Sequence, residues 1–247
     1  MENFKEADNN LKNALNKVYG NSSFVPLCMV DGIDINRFSN VTIGKDEVEY
    51  MLVNAKDMTE EGTISIHDET KSHRRRGSIK GVKKYELHIG DVVFPQKRRF
   101  KSIGVMMIAT KVPYVGHHGL MRVSCGEDNL DLAFFIREYL LLESVSDYIA
   151  KCFDNQEKLI DIIGRLPIPK RLLNNIDGYS VRALNIKYIE KELAQLQTNI
   201  ESLSEKQRTC FKHGKYIAEG SGKILKSLKK LQKQLNELLI LCDNTEL

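Results

Sequence analysis

The chain has 247 residues, 42% of them apolar, with a formal net charge of +4. That composition excludes a globally disordered chain, and the length suits one large domain or one domain plus an extended element. No stretch approaches the roughly 18 consecutive apolar residues a bilayer span needs, and residues 1–19 lack the apolar core of a signal peptide, so a cytoplasmic protein is expected.

Residues 1–20 form the first segment. Phe4, Leu11, Leu15 and Val18 recur at near-helical spacing with Lys5, Lys12 and Lys17 between them, and Gly20 to Ser23 break the pattern. A short amphipathic helix is expected there. From Phe24 to about Ser124 the texture changes to short β-type runs separated by turn residues. Candidate strands are 48–53, 62–66, 85–87, 91–94, 103–109 and 120–123. Their spacing suggests a compact, mainly antiparallel or mixed sheet instead of a βαβ array. Residues 128–153 are strongly apolar at helical intervals, predicting one or two helices on the sheet. Residues 159–163 and 166–168 read as a return strand, and Pro167 and Pro169 bracket an exit from a domain of residues 21–172. The fold class is thus α+β.

The region 173–247 carries a heptad seam. Ile189, Leu193, Leu196, Ile200, Leu203, Ile217, Ile224, Leu228, Leu231, Leu235 and Leu238 fall on a register that alternates four and three. Such a seam is an association and spacing device. Gly214, Gly220 and Gly222 are costly inside a helix. The seam therefore fits either one long helix of roughly 90 Å, at 1.5 Å per residue, or a hairpin of about half that length.

Catalytic signatures fail one after another. Gly220-Ser221-Gly222-Lys223 lacks the earlier glycine of a phosphate-binding loop, Ile217 standing in its place, and Ile224 follows the lysine. Cys28, Cys125, Cys152, Cys210 and Cys242 are scattered, with no metal-ligand spacing, and are expected to be buried or half-buried thiols. His117 and His118, read on a strand, would point to opposite faces and share no ligand set. No metal site and no catalytic residue is expected.

Charge placement is the informative chemistry. Between Lys71 and Lys101 eleven Lys/Arg residues face only Glu86 and Asp91, giving +9, so the other 216 residues carry 4 − 9 = −5. Two clusters stand out, Lys71 to Gly77 and Gln96 to Lys101, both flanking predicted strands and so expected on loops. Lys71, His73, Arg74, Arg75, Arg76, Lys80, Lys83, Lys84, Gln96, Lys97, Arg98, Arg99 and Lys101 are the candidate DNA-contacting residues. Arginine can bridge guanine or grip phosphate, lysine neutralises phosphate, and Gln96 could read adenine. The competing reading is a solvated surface on a coiled-coil adaptor whose head binds protein. A stand-alone nuclease is disfavoured because no Asp…Glu-x-Lys constellation falls on adjacent predicted strands.

Several segments, taken in order, resemble a known family. Tyr85 to Phe94 has a leucine, then Gly90-Asp91, then an apolar strand; Ile103-Gly104-Val105 follows; Asn129 to Ile149 is an apolar helical stretch; and Ile163 to Pro169 forms the exit. This order resembles the specificity subunits of type I restriction–modification systems over about residues 24–200. Two departures stand out: only one recognition unit is present, and the exit continues as Leu172 to Gly178 without the family's Glu-Gln pair. The resemblance implies a non-catalytic chain whose recognition domain reads half of a split duplex target while its helices act as a ruler. It implies methyltransferase partners, a restriction subunit in some assemblies, and a homodimer through the coiled coil. S-adenosylmethionine, ATP and Mg would then belong to partner subunits, with no cofactor in this chain.

Overall fold

The computed structural model describes residues 2–66, 73–126, 129–174, 176–177, 193–202, 204–205 and 226–236. It divides into two compact units, Met1–Ser180 and Val181–Leu247.

The first unit opens with α1 (Glu2–Tyr19), which buries Ala7, Leu11 and Leu15 along one stripe and stops at Gly20, whose φ of +74° is the left-handed conformation that ends many helices. There follow β1 (Phe24–Pro26), a 3₁₀ turn (Leu27–Met29), β2 (Asp34–Arg37), β3 (Glu47–Val53) and a second 3₁₀ turn (Ala55–Asp57). Next come β4 (Arg74–Ser78), α2 (Ile79–Tyr85), β5 (Asp91–Pro95), β6 (Gly104–Val105), β7 (Tyr114–Gly116) and β8 (Leu120–Ser124). The unit closes with α3 (Leu130–Leu141), α4 (Glu143–Asp154), α5 (Leu159–Gly164), β9 (Pro167–Pro169) and α6 (Lys170–Leu173).

Three sheets result. One runs β2-β8-β5-β6, all antiparallel; the second runs β4-β3-β7, with β3 antiparallel to β4 and parallel to β7; the third pairs β1 with β9. This is the α+β class expected from the texture of the sequence. In β5 all five residues are buried, and α3 packs on β5 and β6. Leu132 to Ile136 of α3 are all buried, which explains why this stretch of the helix is apolar without a break. Each large side chain so buried contributes about 1.5–3 kcal/mol of transfer free energy.

The Gly90-Asp91 pair has a physical account. Gly90 has a φ of +86°, and a Cβ there would lie 2.3 Å from the Gly126 carbonyl oxygen, so only glycine fits. The Asp91 carboxylate is buried and accepts from the His88 amide (2.9 Å), the Arg122 guanidinium (3.3 Å) and the Ser124 hydroxyl. These bonds tie the start of β5 to β8.

Several expectations are corrected. Residues 159–163 are helical, not a strand: Leu159, Ile162 and Ile163 bury at i, i+3 and i+4, and only Pro167–Pro169 forms the return strand. Residues 62–66 form only isolated bridges, 85–87 begin as the end of α2, and 103–109 shrink to the two residues of β6. The first basic cluster is not a loop, since Arg74–Ser78 is the edge strand β4 and Lys80, Lys83 and Lys84 lie on α2. Cys125 and Cys152 are buried, but Cys28 is exposed. Cys210 and Cys242 lie outside the described residues.

In the second unit, residues 193–202, 204–205 and 226–236 are helical. The Gln232 side-chain amide donates to the Gln197 side-chain carbonyl at 2.5 Å. Along a continuous helix, residues 35 apart would stand about 52 Å from each other, so this bond sets the two described helical segments side by side; the turn that a hairpin would place near Gly214–Gly222 lies outside the described residues. Leu196 and Ile200 are buried, Leu193, Leu228 and Leu235 are half-buried, and Leu231 is exposed. Ile189, Leu203, Ile217, Ile224 and Leu238 of the seam lie outside the described residues.

Candidate nucleic-acid interface

The first basic segment is built by β3, β4 and α2. β4 has no intrinsic strand preference in Arg-Arg-Arg-Gly-Ser; the ladder to β3 makes it a strand, with Tyr50 opposite Arg75 and Glu49 opposite Arg76. Charged residues on an edge strand also block edge-to-edge pairing with other chains. Arg74, Arg75, Arg76, Lys80, Lys83 and Lys84 are all exposed. Arg74 pairs with Glu49 at 3.0 Å, and Arg75 donates to the Arg74 carbonyl at 2.8 Å. Among the described residues no ion pair engages Arg75 or Arg76. Behind them Tyr50 packs with Val82 and Val115, fixing α2 on the sheet, and burial raises the Tyr50 pKa against the lowering influence of Arg75.

His73 does not join this surface. It is 4% exposed, and its Nε2 lies 3.2 Å from the Asp57 carboxylate, whose other oxygen accepts from the Asn54 amide at 2.7 Å. A side chain so enclosed closes the start of β4 onto the 3₁₀ turn and cannot reach a duplex, which corrects its place among the DNA-contacting candidates. Lys71 lies outside the described residues.

The second basic segment leaves β5 as a loop lying along α4. The Gln96 side-chain amide donates to the carbonyls of His118 and Leu120, each at 2.9 Å, so its donor group is spent on bracing the loop against the β7–β8 turn. Arg98 pairs with Asp154 at 2.6 Å and Arg99 with Asp147 at 2.6 Å, the two acids standing two turns apart on α4. Both arginines remain more than half exposed, and Lys97 and Lys101 are exposed as well. The pairing acids were missed in the sequence, although their seven-residue spacing does place them on one helix face.

His117 and His118 are not on a strand pointing apart. They follow β7 in the turn to β8 with ring centroids 3.9 Å apart. His117 Nδ1 accepts from the Gly119 amide at 3.0 Å, and burial, then the neighbouring His118, holds the His117 pKa below the usual histidine value.

Among the described residues no group of three or more His, Cys, Asp or Glu could hold a metal ion, and no helix is long and apolar enough to cross a membrane.

No protein-family model and no curated protein matches the chain. Among solved structures it is similar to the HsdS subunit from Thermoanaerobacter tengcongensis, at 14% identity with a TM-score of 0.41, covering 100% of this chain and 53% of that one. It is also similar to a chain from a structure of complex assembly and conformational transition of the type I R-M system, at 14% identity with a TM-score of 0.37, covering 100% and 54%. The chain therefore spans about half the length of the structures it matches.

Proposed function

We propose that the chain recognises double-stranded DNA as a non-catalytic specificity subunit of a type I-like restriction–modification assembly. The observation that carries this reading is the outward basic surface: ten of the thirteen candidate residues between Lys71 and Lys101 are exposed cations. Of the two acids in that window, Asp91 is buried and satisfied within the protein; Arg74, Arg98 and Arg99 pair with acids from outside it, and the other seven exposed cations pair with no described acid. Such a surface attracts the phosphate backbone and releases its counterions. Side chains among these residues would read base edges while the others set position.

On this reading the chain selects the sequence, and methyltransferase subunits, with a restriction subunit in some assemblies, perform the chemistry with their own S-adenosylmethionine, ATP and Mg. The first unit would read one half of a bipartite target. The tail would space it and join a second copy through whatever part of the seam stays exposed, beginning with Leu231, which is 46% exposed.

The test is purification of the tagged full chain from its host, followed by mass spectrometry. Recovery of an adenine methyltransferase whose methylation of a defined duplex depends on the chain is the expected result. A chain recovered without a methyltransferase, and adding no sequence preference to any, would remove the proposal.

A further inference from the structure

The loop joining β2 to β3 carries Ile43, 80% exposed, the most exposed of the large apolar side chains described. A lone exposed apolar residue is ordinary, but the loop around this one is held rigidly. Val41 fills the space that Cβ atoms on Gly77 and Gly81 would occupy, at 2.4 and 3.0 Å from those positions. The Ser78 amide donates to the Thr42 carbonyl at 2.9 Å and the Ile79 amide to the Asp46 carbonyl at 3.1 Å. Gly44 lies so close to Ser78 that an added Cβ would sit 2.8 Å from the serine Cβ. Thr42 to Asp46 are thereby clamped onto the β4–α2 junction, with Ile43 at the tip and Ile79, 42% exposed, on the junction itself.

The loop and the elements it is clamped to are rich in cations. Lys45 is in the loop, Arg74, Arg75 and Arg76 lead along β4 to the clamp, and Lys80, Lys83 and Lys84 follow it on α2. Against these seven cations stand Asp46, Glu47 and Glu49, and Glu49 is already paired with Arg74. A preorganised apolar tip among cations matches a duplex groove in chemistry: the cations meet the two phosphate rails, and the aliphatic side chain meets base edges, where the thymine methyl is the apolar feature.

We propose that Ile43 is a sequence-reading residue, carried into a DNA groove by the clamped Thr42–Asp46 loop while the β4 and α2 cations hold the flanking phosphates. This rests on the reading of the chain as a duplex-binding protein. Because Ile43 packs against nothing it must support, its replacement leaves the fold intact, and its role is separable from phosphate binding.

The experiment uses the full chain. A library of random-sequence duplexes is selected on the unaltered protein, and the enriched duplex and a scrambled duplex are then titrated against the chain and its Ile43→Ser variant over a range of salt. The expected result is a loss of about tenfold or more for the enriched duplex, the scale of one mismatched base pair, with the scrambled duplex and its salt slope unchanged. A photo-crosslinking amino acid at position 43 should label a base of the enriched duplex, whereas one at Met29, 72% exposed, should not. Equal affinity of Ile43→Ser and the unaltered chain for the enriched duplex overturns the inference while leaving the DNA reading standing. Equal losses on both duplexes, or labelling of sugar–phosphate only, also overturn it by reducing Ile43 to a position-setting contact. Failure of the unaltered chain to bind or enrich any duplex removes the functional reading and this inference together.

Discussion

Arg74–Arg76 and Arg98–Arg99 look alike as sequence, each a run of arginines among lysines in the same basic window. On β4 the arginines stand on an edge strand, and among the described residues no acid pairs with Arg75 or Arg76. In the loop after β5, Arg98 and Arg99 are each paired with an acid of α4. One basic segment is thus presented to solvent by a ladder, while the other is tethered along a helix. Equal charge in sequence is therefore unequal availability in the fold: Arg75 and Arg76 pair with no described acid, whereas an anion would have to displace Asp154 and Asp147 to reach Arg98 and Arg99.

The comparison assumes one platform beneath both segments, and Asp91 is the residue to remove in testing it. Asp91→Ala strips the buried partner from Arg122, the hydroxyl of Ser124 and the amide of His88. Losing one side of such a buried pair costs about 3–5 kcal/mol. Chemical denaturation should show that loss in one transition; a change under about 1 kcal/mol would show that the Gly-Asp turn anchors little.

Next in size is release of the tether. Asp147→Asn with Asp154→Asn should raise duplex affinity several-fold and steepen its salt dependence, by up to about 0.9 in slope per extra phosphate engaged. Stability should move by no more than about 1 kcal/mol, the range of exposed ion pairs. An unchanged affinity would mean that Arg98 and Arg99 serve α4 alone.

Gln96→Ala should cost about 1 kcal/mol by removing the donor that bridges the His118 and Leu120 carbonyls, the latter keeping only the Phe38 amide at 3.5 Å. Amide hydrogen exchange should rise across residues 96–101 and stay unchanged on β4. Equal protection in both proteins would show that the loop is braced by other contacts.

The smallest effect concerns pH. His117 has a depressed pKa in the folded state, so the unfolded chain binds the proton more readily. The stability His117 contributes is therefore fully present above about pH 6.5, the unfolded value, and is lost as pH falls toward the folded value. An NMR titration should place the His117 midpoint below 6.5; a midpoint above it would contradict the lowering by partial burial and the neighbouring His118.

The parts of the fold legible in the sequence are those where local pattern and tertiary role agree. α1 buries Leu11 and Leu15 of its expected stripe, although Val18 is exposed, β3, β5 and β8 follow their apolar runs, and α3 and α4 follow theirs. β4 was illegible because its strand state comes from β3, not from its own residues. The run Leu159–Ile163 is ambiguous in sequence because four apolar residues around Asp161 satisfy a buried strand and a buried helical turn alike. His73 shares a run with three exposed arginines, yet its side chain turns inward to Asp57, sixteen residues away. That partnership leaves no mark in local sequence. The heptad register likewise does not say whether the apolar partner its seam needs comes from the same chain.

Engagement of a duplex phosphate backbone by the β4 surface, as proposed, is read out by binding of a fluorescent duplex to the full chain across salt concentrations, with and without Arg75→Ala and Arg76→Ala. Affinity should fall steeply with salt, and the slope should drop by about 1.8 in the double variant, 0.9 for each lost phosphate contact. A slope and affinity unchanged by the double variant, or no duplex binding by the unaltered chain, would contradict the proposal.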